Sequence, residues 1–300
     1  LTKRKSELAI EIETVIDACR NVGEYDCIVA FSGGKDSTYT LMLLVEKYKL
    51  NCLAITIDNG FISPQAKNNC RSVTESLGVD FVAYTPAFDF MRRMYVTSAT
   101  NDSIHTKSAV KRASSMCNSC INLINNYMLK SATRHGAPLV AGGYIGGQVP
   151  RDAAVLVVDI EKQIQHRAVA LRRNIENFGP DAARYFDSGA SQVIGKKVTI
   201  INPMLTVNLT EEEIISSIAK LGWVKTQDTG LNSSNCRLND LGIAVHYKKH
   251  QFHPYVLEIS EQVRSATMSR EDALKKVSAV PEFSTLQPQI DKLGLVVDGL

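Results

Sequence analysis

Residues 25 to 48 constrain the chain more tightly than any other stretch. Tyr25 to Phe31 is a short apolar and β-branched run bounded by polar turn residues, which reads as a buried strand. From Ser37 onward the apolar positions Tyr39, Leu41, Met42, Leu44, Val45 and Tyr48 follow helical spacing. The residues between, Ser32-Gly33-Gly34-Lys35-Asp36-Ser37, are therefore a strand-to-helix loop. Such a loop suits an anion. Gly33 and Gly34 can adopt positive φ and let a ligand approach the backbone. The first helix amides point outward, and the helix dipole adds partial positive charge. Lys35 supplies a full charge. Asp36 makes little sense against bare phosphate, but it fits Mg2+ bridging a carboxylate and phosphate. The competing reading is a tight strand-helix turn whose glycines serve packing alone.

The remainder alternates strand and helix. Residues 3–20 read as an amphipathic helix. Asn51 to Phe61 is a second strand ending in Asp58-Asn59-Gly60, and Ser63 with Pro64 signals the start of a helix whose Ala66, Cys70, Val73 and Leu77 share a face. Asp80 to Pro86 is a third strand, followed by a long polar stretch, a helix from about Asn118 to His135, and a fourth strand running into Gly142-Gly143. Residues 144–197 pattern weakly, with a helical tract around 159–178, and read as an insertion. Val198 to Met204 is a fifth strand; Thr210 with Glu213 makes a capping box. From Asp240 the chain reads as helical and more loosely connected, with a cap at Ser269.

This order predicts an α/β fold, a doubly wound parallel sheet with a central insertion and a helical C-terminal region. The expected division is an N-terminal helix (1–24), a nucleotide domain (25–236) and the C-terminal helices (237–300). Ligands in such sheets sit beyond the carboxyl ends of the strands, where the opening loop, Asp58 and Gly142 all lie.

The chain's 300 residues, 44% of them hydrophobic, suffice for one large or two ordinary domains. No apolar run approaches a membrane span and no signal peptide is visible, so no membrane partner is expected. The chain starts at Leu1 rather than methionine, which allows a preceding segment. A net charge of +3 permits nucleic acid without demanding it. Seven cysteines in an apparently cytoplasmic chain argue for thiol, metal or catalytic roles over disulfides.

The loop resembles the PP-loop of the N-type ATP pyrophosphatases, the adenine nucleotide alpha-hydrolase superfamily. It differs from the P-loop GxxxxGK[ST], which this chain lacks. The resemblance implies that the loop holds the β and γ phosphates of ATP. A substrate oxygen then attacks the α phosphate, and pyrophosphate leaves. Ser32, Gly33, Gly34, Lys35, Asp36 and Ser37 carry over as ATP-binding, with Lys35 on phosphate oxygens, Asp36 on Mg2+, and these two as the catalytic pair. The strand Ile55 to Asp58 matches the family's adenine-reading strand, which adds Ile57 and Asp58; Gly142 completes the candidate set.

A narrower resemblance covers residues 25 to about 236. CNSCINLINNYMLKSATRHGAPLVAGG looks like the segment of two-thiocytidine tRNA sulfurtransferases in which a CxxC opens a helix leading to the fourth strand. INPMLTVNLTEEEIISSIAKLGW resembles their fifth strand and capped helix, and Cys236 in TGLNSSNCRLND falls where they place one more cysteine. In that group three cysteines hold a [4Fe-4S] cluster with one open iron, which implies Cys117, Cys120 and Cys236 here. Two departures stand out. Those enzymes carry a His and acidic residues after the fourth strand where this chain reads AGGYIGGQVPRD, and the last sixty residues have no clear counterpart.

Alternatives for the cysteines are zinc with a histidine from His246, His250 or His253, a thiol or persulfide pair, and inert packing. Cys19, Cys27, Cys52 and Cys70 read as core. Arg92, Arg93, Lys107, Lys111, Arg112, Arg151, Arg172, Arg173, Lys196 and Lys197 read chiefly as solvated surface, less readily as an anionic channel. Val256, Ile259 and Val263 form a packing stripe, and His253 and Tyr255 carry no assigned chemistry.

The function expected is ATP-dependent sulfur insertion: adenylation of an acceptor oxygen, then sulfur delivered with the cluster's help. The alternative is an amidotransferase of the N-acetyl sugar type, fed ammonia by a separate subunit, with the cysteines on zinc or incidental. A phosphoadenylylsulfate reductase is disfavoured, because no cysteine follows Cys236. A nucleotide sensor without chemistry is the remaining class. The acceptor (tRNA, a sugar or a small metabolite), the sulfur donor and a homodimeric state all stay open.

Overall fold

In the computed structural model, residues 2–101, 103–150, 152–159, 164–187 and 197–300 are described. Arg151 and Lys196 of the basic set lie outside them. The helices are α1 (Thr2–Cys19), α2 (Lys35–Met42), α3 (Pro64–Leu77), α4 (Phe88–Thr100), α5 (Lys107–Val110), α6 (Ser115–His135), α7 (Ile164–Phe178), α8 (Ala182–Phe186), α9 (Glu211–Ala219), α10 (Asn239–His250), α11 (Val256–Arg264), α12 (Arg270–Ser278) and α13 (Gln287–Leu293). The strands are β1 (Cys27–Ala30), β2 (Cys52–Ile57), β3 (Asp80–Tyr84), β4 (Leu139–Ala141), β5 (Val155–Asp159) and β6 (Lys197–Ile201).

They form one sheet in the order β3-β2-β1-β4-β6-β5. β1 runs parallel to both β2 and β4, with Cys27 in register with Cys52 on one side and Leu139 on the other. Such strands are covered on both faces, which is why they read as unbroken apolar runs. The chain winds outward from β1 through β2 to β3, then returns to β4 on the opposite side. The crevice between the carboxyl ends of β1 and β4 is thus the switch point, where doubly wound sheets bind ligands. Two cores flank the sheet. One joins Ile28, Ile55 and Val140 to Met94, Tyr95 and Leu123; the other joins Val29, Leu41 and Ala54 to Ile12, Ile16 and Trp223.

Four local expectations are corrected. The stretch after β3 contains α4, whose Phe90, Met91, Met94 and Tyr95 are buried at helical spacing. The 144–197 segment contributes β5, which pairs antiparallel with β6 and takes in Asp159, where the helical tract is expected to start; the helix described there is Ile164–Phe178. Ser63 occupies the cap position of α3 but makes no capping hydrogen bond; its hydroxyl bonds the Asp228 carboxylate instead. The C-terminal helices are firmly packed, since Leu241, Leu286, Ile290 and Leu293 are buried in the same core as Tyr95. Other local signals hold. Thr210 and Glu213 form a complete capping box, a feature worth about 1 kcal/mol, and Ser269 accepts from the Asp272 amide. Among the described residues no helix is long and apolar enough to cross a membrane.

Candidate functional site

The loop leaves β1 at Ala30, and α2 begins at Lys35. Only one of its glycines takes a left-handed conformation: Gly33 has φ +71°, whereas Gly34, the helix cap, has φ −80°. The Gly33 carbonyl accepts from Trp223 Nε1 at 2.9 Å and Asn69 Nδ2 at 3.2 Å, so this carbonyl is anchored into the core beside α3. Beyond it, the Ser32 and Ser37 hydroxyls lie 3.1 Å apart. The Lys35 backbone amide donates to Ser234 Oγ at 3.1 Å. Lys35 Nζ grips both oxygens of Asp36, at 2.8 and 2.9 Å. Burial alone would lower the Lys35 ammonium, but the carboxylates Asp36, Glu211 and Glu258 outweigh it and hold its pKa above the ordinary value. On the other side of the crevice, Gly143 packs against the first turn of α2; a Cβ there would lie 2.9 Å from the Ser37 amide nitrogen.

A cavity of about 300 Å³ opens in front of this loop. Ser32, Gly34, Asp36 and Ser37 line it on one side, together with Ile57 and Gly142. Cys117, Cys120 and Cys236 line it on the other. Local structure explains how three distant thiols meet. Ser114 caps α6 by accepting from the Cys117 amide at 3.2 Å, so Cys117 and Cys120, three residues apart in the first turn, share a face. Cys236 arrives on a strand-like bridge to Ile62, flanked by the bonds Ser63 N to Asn235 O (2.8 Å) and Arg237 N to Phe61 O (2.9 Å).

The thiols sit among neutral donors. Asn59 Nδ2 lies 3.5 Å from Cys236 Sγ and 3.8 Å from Cys120 Sγ. Asn239 Nδ2 and the Tyr255 hydroxyl lie 3.9 and 4.0 Å from Cys117 Sγ. The Tyr95 hydroxyl, fully buried, faces the group and interacts with the Cys120 thiol. Burial raises the pKa of all three thiols, that of Cys236 to about 12, so they are protonated unless a metal or other cation holds them as thiolates. Among the described residues, no three His, Cys, Asp or Glu side chains lie close enough to hold a single metal ion. Three thiols around one cavity, met by N–H and O–H donors, are a donor set of the kind that holds a metal or an iron-sulfur group.

The histidines proposed for zinc are elsewhere. His246 packs against His250, ring centroids 4.5 Å apart and tilted, and edge-on against Phe252 at 4.8 Å. His253 bonds the Tyr255 amide at 3.2 Å through Nδ1, and none of the three lines the cysteine cavity. Asp58 also turns away: its carboxylate binds Lys67 and the Gly60 amide, while its neighbour Asn59 enters the cavity. Among the basic residues, Arg93 is bound to Asp181 and the Phe178 carbonyl, and Arg172 and Arg173 are solvated. Cys27, Cys52 and Cys70 are buried in the core, and Cys19 is half-buried.

A second, polar cavity of about 500 Å³ adjoins the first through Asp36, Cys236 and Tyr255. Lys35, Glu211, Glu258 and Lys276 line it. Sequence reasoning had given the C-terminal helices no chemistry, yet they place Tyr255 against the thiols and Glu258 beside the loop. Burial raises the Glu258 carboxyl to about 7, with Asp36 adding to the shift and the Gln148 hydrogen bond and Lys35 opposing it.

Glycine loop, switch-point crevice and mostly parallel sheet define a doubly wound α/β protein, a class that binds its ligands at such a crevice. Residues 26–154 match the family described as Queuosine biosynthesis protein QueC. That family is of the PP-loop ATPase superfamily, and the matched stretch includes the SGGKDS loop. Over nearly its whole length the chain is similar to the uncharacterized protein MJ1599 of Methanocaldococcus jannaschii: 25% identity over 292 residues, 96% of this chain and 85% of that one. Among solved structures it is similar to the U34-tRNA thiolase NcsA from Methanococcus maripaludis with its [4Fe-4S] cluster, at 14% identity and a TM-score of 0.42, covering 92% of this chain and 82% of the other.

Proposed function

We propose that the protein is an ATP-dependent adenylating sulfurtransferase whose Cys117, Cys120 and Cys236 hold a [4Fe-4S] cluster. One observation carries this reading: three thiols far apart in sequence line the same cavity as the loop that would hold ATP. Activation and atom delivery can then occur in one enclosed space, where proximity substitutes for a bimolecular encounter.

The chain's own groups account for the activation step. ATP phosphates replace Ser234 Oγ at the Lys35 amide, and Lys35 Nζ, kept charged by its carboxylate neighbours, moves from Asp36 to phosphate oxygens. Asp36, so released, would hold Mg2+. The acceptor oxygen attacks the α phosphorus, pyrophosphate leaves, and the acceptor carbon carries AMP as its leaving group. A sulfur nucleophile from an external sulfide-class donor then displaces AMP. A cluster held by Cys117, Cys120 and Cys236 would supply a Lewis-acid position for sulfur. Ile57 and Gly142 line the cavity where the adenosine would lie.

Anaerobic purification with iron, zinc and acid-labile sulfide assays tests the reading. The expected result is a brown protein with about four iron and four sulfide per chain. Iron-free protein containing zinc overturns it and favours the ammonia-dependent alternative.

A further inference from the structure

Asn59 stands apart from every other polar residue in the cavity. It is buried, lies two residues past the end of β2, and is the one described side chain whose amide reaches two of the three thiols. Its orientation is not free. Asn59 Oδ1 accepts from the Phe61 amide at 2.8 Å, so the NH2 end must face the sulfurs. The turn that presents it is clamped from outside, since Lys292 Nζ of α13 donates to the Gly60 carbonyl at 2.6 Å. Cys236 itself is set beside Asn59 by the Ile62 bridge.

We propose that Asn59 is a positioning residue of the three-thiol site, its amide donating jointly to Cys120 and Cys236 so that it sets their spacing and tunes the reduction potential of the group they hold. This rests on the cluster reading above. Hydrogen bonds to ligand sulfurs stabilise the more negative, reduced state and raise the potential. The amide bridges a ligand from α6 and one from the segment after α9, two parts of the chain that no covalent constraint holds together. A donor shared by both fixes their separation before any metal arrives.

Asn59→Asp separates this role from a turn-forming one. Asp keeps the oxygen that the Phe61 amide needs, and replaces the donor facing the sulfurs with a second, charged acceptor. Asn59→Leu removes the donor without adding charge. The measurements are iron content, melting temperature and the cluster midpoint potential by anaerobic redox titration followed by electron paramagnetic resonance. In Asn59→Asp the reduction equilibrium is expected to shift at least tenfold against the reduced state, about 59 mV for one electron. Asn59→Leu shifts the same way by less. Loss of iron from Asn59→Asp at an unchanged melting temperature also supports the assignment, because the fold is then intact and only the thiol site has changed. Midpoints equal to wild type in both variants overturn the assignment and leave the cluster reading standing. Wild-type protein that retains no iron under anaerobic conditions removes the cluster reading, and the role of Asn59 with it.

Discussion

The two glycines of the loop, adjacent and alike in sequence, should respond oppositely to alanine. At Gly33 the backbone has φ +71°, where an L-residue costs about 1–2 kcal/mol. A Cβ there would also sit 2.1 Å from the Ala66 carbonyl oxygen and 2.9 Å from Cys70 Sγ. The oxygen belongs to the backbone of α3 and cannot rotate away, so loop and helix must separate, an overpacking cost of about 1–3 kcal/mol. The sum is about 2–5 kcal/mol. With an unfolding entropy of about 2.1 cal/mol/K per residue, a chain of 300 residues should lose roughly 3–8 °C in Tm. At Gly34 φ is −80°, ordinary for any residue, and the nearest atom is Ser234 Oγ at 2.8 Å. That hydroxyl can turn aside for about one hydrogen bond, offset by the stiffer unfolded chain, so Gly34→Ala should stay within about 1 kcal/mol. Thermal unfolding followed by fluorescence is well placed to report this, since the chain's one tryptophan, Trp223, bonds the Gly33 carbonyl. Gly33→Ala melting within 1 °C of wild type (a margin of roughly 0.6 kcal/mol), or Gly34→Ala falling further than Gly33→Ala, would show that the loop is not held as described.

Two further outcomes follow from neighbouring contacts. Ser234→Ala frees the Lys35 amide from a competing acceptor, so calorimetry should find ATP bound about 2- to 10-fold tighter; unchanged or weaker binding refutes the displacement step. Glu258, with its pKa raised to about 7, binds its proton more tightly in the folded state than in the unfolded chain. Its contribution to stability is therefore complete below the ordinary carboxylate range and is lost as pH rises through about 7. Its side chain is partly solvent-accessible, so the loss is on the order of 1 kcal/mol. Asp36, Lys35, Gln148 and Lys276 face it and stay in place in Glu258→Gln, so that variant should flatten the decline in Tm between pH 5 and 8 (the window about the shifted pKa); a decline of equal slope in both proteins removes Glu258 as its source.

What could be read from residues alone divides by distance along the chain. β1, β2 and β4 were visible because strands buried on both faces are contiguous apolar runs, the more exposed β3 and β6 because of their β-branched and aromatic residues, and the loop because two glycines with Lys35 and Asp36 interrupt such a run. β5 escaped notice because it is an edge strand with Leu156 and Val157 largely exposed, inside a segment without strong turn signals. α4 escaped because Asp89, Arg92 and Arg93 interleave its buried residues and made the stretch look merely polar. In the site, the CxxC pair has a local spacing and Cys236 has a family position, so both could be named. Asn59, Tyr95, Asn239 and Tyr255 have neither. An asparagine after a strand reads as a turn residue, and a tyrosine on a helix or just before one reads as core, until the fold brings them to the same three sulfurs.

The C-terminal helices show the same logic at larger scale. Their sequence offers only caps and packing stripes, yet α11 sets Glu258 beside the loop, the residue before α11 touches Cys117, and α13 clamps the turn that carries Asn59. Chemistry at this site depends on groups whose spacing in sequence says nothing, held by helices whose own sequence speaks only of burial. Substitutions that loosen α13 from Gly60 should therefore act on the thiol site before they act on the sheet.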